Sequence, residues 1–157
     1  MNNILSVANI ICHHFLELEE KWAFTGSFNH SLHGIDILPN DIDIITTELG
    51  LSKISTLLSQ FCIQEAIYKE SYYIRSFFGM FEIQDIRIEV MAELENKIKG
   101  VWLKHEKWED NIIWIDNNTH YKIPCLTLNY ELEIYQQLGF VERSNMIKRR
   151  LEDNWYK

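Results

Sequence analysis

Two carboxylates one residue apart in an Ile-rich run, Asp41-Ile42-Asp43-Ile44-Ile45, constrain this chain more than any other stretch. Side chains alternate across a β-strand, so Asp41 and Asp43 share one face while Ile42 and Ile44 serve the other. Like charges that close repel. Both stay ionised only with a cation between them; otherwise one pKa rises. Hard divalent cations choose such oxygens, and Mg²⁺ sits on one or two carboxylates together with substrate phosphates.

Upstream, the apolar run Trp22-Ala23-Phe24 leads into Thr25-Gly26-Ser27. A short strand is expected to end there and a helix to begin. Ser27 suits an N-cap, Gly26 lets a phosphate approach the backbone, and the free N–H groups of a helix start favour an anion. The two motifs together predict a triphosphate clamp beside a metal site. Alone each is weak, since Gly-Ser is usually a plain turn and Asp-x-Asp more often a solvated strand face.

Elsewhere the pattern reads as α+β. Ile4, Val7, Ala8, Ile11, Phe15 and Leu18 recur with helical period, which predicts an amphipathic helix over residues 3 to 20. Ile54, Leu57, Leu58 and Phe61 mark a second long helix. Residues 72 to 78 and the Ile86 strand, rich in β-branched and aromatic residues, read as neighbouring strands separated by Gly79. In the second, Ile86, Ile88 and Val90 alternate with Asp85, Arg87 and Glu89, the period of a half-buried strand. Residues 93 to 120 look irregular apart from a short strand at 112 to 115. From Thr127 the spacing turns helical, Gly139 reads as a stop, and a last helix is expected from Val141 to Trp155.

The order strand, Gly-Ser, short helix, loop with Pro39, Asp-x-Asp strand resembles the nucleotidyltransferase superfamily that includes DNA polymerase β. The thirteen residues from Phe28 to Asn40 match the long end of its spacer. Phe24 to Ser27, Leu32-His33-Gly34, Asp41 to Ile44, Phe77-Phe78-Gly79, Ile88 to Met91, Lys122-Ile123-Pro124 and Leu138-Gly139 look more narrowly like small stand-alone nucleotidyltransferase-fold proteins, one of them from Thermotoga. These are in turn similar to aminoglycoside and lincosamide nucleotidyltransferases.

The resemblance implies a polymerase β-like fold, a mixed sheet flanked by helices with further helices at the C-terminus. It implies one domain over residues 1–157, with a core to about 124 and a helical part from about 125. It implies a third carboxylate on a later strand. Glu89 fits it, and Asp85, expected in the turn before that strand, is second choice. Asp41, Asp43 and Glu89 would then hold one or two Mg²⁺ ions, Glu89 could take the acceptor proton, and a nucleoside triphosphate would be the donor. Gly26 and Ser27 would cradle the phosphates. Arg75, Arg87, Arg143 and Lys148 are candidates for further contact with phosphate or acceptor, and His30 and His33 weaker ones, since such histidines are more often solvated or core.

A net charge of −8 disfavours a polyanion such as nucleic acid and tilts toward a cationic small acceptor, an aminoglycoside for example. The cluster Lys148-Arg149-Arg150 reads as a solvated helix face. Two other readings stand beside small-molecule transfer. One is a toxin-like enzyme acting on RNA or protein through a groove of Trp102, Lys104, Lys107 and Trp108; the other is a non-catalytic nucleotide-binding module. So few residues follow Pro124 that an acceptor site shared in a homodimer is a further expectation.

Cys12, Cys62 and Cys125 are scattered in apolar surroundings and read as buried reduced thiols. Neither a basic-then-apolar leader nor a run near the roughly 20 apolar residues of a membrane span is visible, so a cytoplasmic protein without membrane contact is expected.

Overall fold

The computed structural model describes residues 2–116 and 121–153. In chain order the elements are α1 (Asn2–His14), β1 (Trp22–Thr25), α2 (Gly26–Leu32), β2 (Asp41–Thr46), α3 (Glu48–Leu57) and β3 (Cys62–Glu70). They continue with β4 (Ile74–Ile83), β5 (Ile86–Ile98), β6 (Val101–Lys104), β7 (Ile112–Asp116), β8 (Lys122–Leu126), α4 (Leu128–Gln137) and α5 (Val141–Asp153). The strands make one mixed sheet, ordered β3-β4-β5-β2-β1-β8-β7, with β6 pairing the far end of β5. β2 runs parallel to β5 and β1 parallel to β8. This is the α+β mixed-sheet architecture that the sequence predicts. None of the helices among the described residues is long and apolar enough to cross a membrane.

The alternation in β1, β2 and β5 assigns the two faces. Phe24, Ile42, Ile44, Ile88 and Val90 point to one side, where Ile4, Val7, Ile11 and Phe15 near α1 and Leu51, Ile54 and Leu58 near α3 bury them. Each such side chain contributes roughly 1.5–3 kcal/mol by leaving water. Phe24 sits between Trp22 and Phe28 in edge-to-face contacts, with centroids at 5.2 and 5.0 Å. On the other side a smaller cluster of Ala23, Ile45, Met91, Leu94, Trp108 and Leu126 fills part of the surface. The acidic residues of β2 and β5 lie on that second side.

Several expectations are corrected. α1 stops at His14 rather than residue 20, because Glu17, Glu19 and Glu20 would bring negative charge to the negative end of the helix dipole. The second long helix is α3 followed by a separate 3-10 turn at Ser59–Phe61. Gly79 is no strand boundary. It sits inside β4 opposite Val90, where a Cβ would be in ordinary contact with Phe81, Ala66 and Leu51. The chain reverses instead at Gln84 and Asp85, both at positive φ, so Asp85 does occupy the turn. Residues 93 to 120 hold the second half of β5 and all of β6, besides β7. The strand β3, unexpected from the sequence, forms a sheet edge exposed on both faces, and Cys62 at its start is exposed; only Cys12 and Cys125 are buried. α5 ends within the described residues at Asp153, and Trp155 lies outside them.

Replacing Phe24 with Ala removes the centre of the aromatic stack and leaves a cavity in a fully buried site. The expected cost is about 3–5 kcal/mol of unfolding free energy, measurable by urea denaturation followed by circular dichroism.

Candidate active site

β1 and β2 form an antiparallel pair in which Thr25 stands opposite Asp43. On its other side β2 runs parallel to β5, with Asp41 opposite Arg87 and Asp43 opposite Glu89. Paired residues in a sheet share a face, so this register gathers three carboxylates from two strands. One ligand oxygen each from Asp41, Asp43 and Glu89 lies within 4.8 Å of the others, and all three residues are half-buried.

That crowding has an electrostatic signature. Burial first, then the charges of Asp41 and Glu89, push the Asp43 carboxyl up to about 8. Glu89 is also raised, by burial and by Asp41, against opposing pulls from Arg87, from a hydrogen bond with Asp43 and from Lys69. An oxygen-only set in which burial and neighbouring negative charge hold Asp43 and Glu89 above the usual carboxylate range is a site that a hard divalent cation relieves, so these residues fit such an ion.

The Gly26 turn abuts the cluster. Its φ is +69°, and a Cβ there would lie 2.5 Å from Asp43 Oδ2, so both backbone strain and contact with the carboxylate select glycine. The helix start differs from the sequence expectation. Its N-cap is Thr25, in extended conformation, and Ser27 is already in the first turn. Thr25 Oγ1 donates to Glu131 Oε1 and Gly26 N donates to the same oxygen at 3.1 Å. Glu131, on α4, is 2% exposed.

Behind Glu131 lies His30 of α2, fully buried, its Nε2 against Glu131 Oε2. His30 Nδ1 receives a hydrogen bond from Arg143 Nη1 of α5 at 3.0 Å. His30 is therefore an interior link and not a phosphate contact. His33 also turns inward, its Nε2 2.9 Å from the Leu126 carbonyl oxygen, and burial holds its pKa down.

A cavity of about 300 Å³ opens from the cluster toward α4. Asp43, Glu89, Thr25, Gly26 and Glu131 line one end, and Met91, Leu94, Ile134, Leu138 and Phe140 form a largely apolar wall with Tyr135. Tyr135 and Phe140 also line a neighbouring depression that includes Arg143.

The other predicted cations divide. Arg87 is beside Asp41 by register and lowers the pKa of Glu89, so it borders the cluster. Arg75 does not. It pairs with Glu95, stacks 4.4 Å above the Trp102 ring, and stands opposite a residue six positions along β5 from Glu89, roughly 20 Å for an extended strand. Lys148 is exposed on α5. Within the basic cluster, Arg150 is more than a solvated charge, since its Nε donates to the His33 carbonyl oxygen at 2.6 Å. Of the groove expected from Trp102, Lys104, Lys107 and Trp108, the last three line one cavity of about 400 Å³ together with Glu93, Glu106, Glu109 and Asp110, while Trp102 stacks against Arg75 instead.

Sequence reasoning missed Glu131. Its only sequence signal is an acidic residue on the first turn of an amphipathic helix, which ordinarily reads as a dipole-compatible surface charge.

Among solved structures, this arrangement of sheet and helices is the nucleotidyltransferase fold. A crystal structure of a Thermotoga maritima protein assigned as a nucleotidyltransferase is 28% identical, with a TM-score of 0.80 over 98% of this chain and 95% of that one. The chain belongs to the aminoglycoside-2''-adenylyltransferase family, whose model matches residues 8–150. Two more distant structures share the fold. ANT(2'')-Ia, solved in complex with adenylyl-2''-tobramycin, is 9% identical with a TM-score of 0.60 over 96% of this chain and 90% of that one. The lincosamide antibiotic adenylyltransferase LnuA, solved with lincomycin, is 13% identical with a TM-score of 0.56 over 91% and 92%. No curated protein matches in sequence.

The raised Asp43 pKa gives a stability prediction with a definite sign. The folded state holds this proton more tightly than the unfolded chain, whose carboxylate titrates near about 4. The stabilisation is complete below that value and is lost progressively as pH rises to about 8. Thermal unfolding in the absence of divalent cations should show this decline, and Asp43→Asn should flatten it; an equal slope in the variant contradicts the assignment.

Proposed function

We propose that this protein transfers a nucleoside monophosphate from a nucleoside triphosphate to a hydroxyl group of a small molecule, releasing pyrophosphate. The observation that carries the reading is the trio Asp41, Asp43 and Glu89, with oxygens within 4.8 Å of one another beside the Gly26 turn, in a chain of an adenylyltransferase family.

In this reading Asp41, Asp43 and Glu89 hold one or two Mg²⁺ ions. Bound there, Mg²⁺ lowers the pKa of the acceptor hydroxyl and offsets charge on the departing pyrophosphate. The acceptor oxygen bonds to the α-phosphorus, and the bond from that phosphorus to the oxygen bridging the β-phosphate breaks. Glu89 takes the hydroxyl proton as the general base. Ser27 and the N–H groups after it cradle the β- and γ-phosphates, since the Gly26 N–H is already given to Glu131. Arg87, next to Asp41 in the register, adds positive charge at the rim.

Several features favour a small acceptor over a polymer. The cavity beside the carboxylates is of ligand size, and the one lined by Lys104, Lys107 and Trp108 also carries Glu93, Glu106, Glu109 and Asp110, an acidic lining that disfavours a polyanion such as RNA. The related enzymes solved with adenylyl-2''-tobramycin and lincomycin make a hydroxylated antibiotic a reasonable first substrate to try.

Replacing Asp43 with Asn keeps the side chain's size and removes its charge. Pyrophosphate release from each of the four triphosphates with Mg²⁺ and pooled hydroxylated antibiotics should fall by at least about a hundredfold, with the circular dichroism spectrum unchanged. Undiminished release in the variant would sink the proposal.

A further inference from the structure

A guanidinium has five N–H donors and no acceptor, so the contact between Arg143 Nη1 and His30 Nδ1 at 3.0 Å defines the imidazole tautomer. Nδ1 must present a lone pair, and the ring proton must sit on Nε2. That nitrogen faces Glu131 Oε2, and neither atom has another hydrogen-bond partner among the described residues. A carboxylate behind an imidazole fixes both tautomer and ring orientation in this way. His30 is fully buried and Glu131 2% exposed, so the chain Glu131–His30–Arg143 runs through the interior from the Gly26 turn to α5. Such a chain is costly unless every member is satisfied.

The far end of the chain is the informative part. Arg143 is only half-buried, and its guanidinium lies 5.9 Å over Tyr135, whose ring also lines the cavity beside Asp43 and Glu89. Among the described residues only its Nη1 is taken, by His30, which leaves the rest of the fork for an anion.

We infer that Glu131 and His30 are positioning residues that hold Arg143 as a phosphate-binding cation of the nucleotide cleft. The inference rests on the nucleotidyl-transfer reading above. Glu131 links both halves of the donor site, since one oxygen holds the Thr25–Gly26 turn and the other sets the imidazole that orients Arg143. A free arginine on α5 would lose side-chain entropy on meeting each phosphate; one already held by Nδ1 loses less.

The test is a double-mutant cycle of His30→Gln and Arg143→Ala, read by calorimetric binding of each of the four nucleoside triphosphates with Mg²⁺. Gln at position 30 can still donate to Glu131 but offers nothing at the Nδ1 position. Arg143→Ala should weaken binding about tenfold, as loss of a charged hydrogen bond does. His30→Gln should weaken it severalfold when Arg143 is present and less than about twofold when it is absent. Additive losses, or no loss in either variant, overturn the inference while leaving the transfer reading standing. Wild-type protein that binds none of the four triphosphates brings down the transfer reading, and this inference with it. If the glutamine variant does not fold, the imidazole ¹⁵N shifts of His30 in the wild-type protein decide. An Nε2–H tautomer with a bare Nδ1 supports the chain, and an Nδ1–H tautomer or an imidazolium overturns it.

Discussion

Six consecutive parallel pairs between β2 and β5, from Asp41 with Arg87 to Thr46 with Ala92, set everything else at the acid cluster. A slip of one residue would turn Asp41 and Asp43 toward the apolar helices and expose Ile42 and Ile44. The register is therefore enforced from the far side of the sheet. Ile42, Ile44, Ile88 and Val90 are all fully buried there, and their burial opposes the repulsion among the three carboxylates on the other face. A hydrophobic layer thus holds the charges close, and it tolerates no alternative pairing.

The second constraint comes from the C-terminal helices. α4 contributes Ile134 and Tyr135 to the cavity wall, and Glu131, which occupies the first N–H of the glycine turn. α5 contributes Arg143 and Arg150, each bonded to the segment between β1 and β2. The helices that follow the sheet are in this way tied by hydrogen bonds to the loop that borders the carboxylates. A helical extension of this kind reads in sequence as a cap on the core; in the structure it is part of the site wall.

Legibility in the sequence followed the range of the interactions. β1, β2, the first half of β5 and α4 were readable because alternation, helical period and a Gly-Ser boundary are local. α1 was overextended because its apolar spacing continues to Leu18, which still packs on the core from a non-helical segment. β3 and β6 were invisible because β3 is solvated on both faces and has no alternation, and β6 is four residues long. Gly79 misled because a glycine within a strand is rarer than one in a turn, and here the strand runs straight through it.

By itself the sequence determined the fold class, the shared face of Asp41 and Asp43, and the pairing of a glycine turn with an acidic strand. These follow from backbone periodicity and from what glycine alone can adopt. Tertiary structure alone decided that Glu89 stands opposite Asp43, that Arg75 points elsewhere, and that Glu131 and His30 are buried against each other. Each of those depends on pairing between residues 20 to more than 100 positions apart. No local pattern encodes such pairing, because it is chosen by how the faces of the finished sheet and helices bury one another.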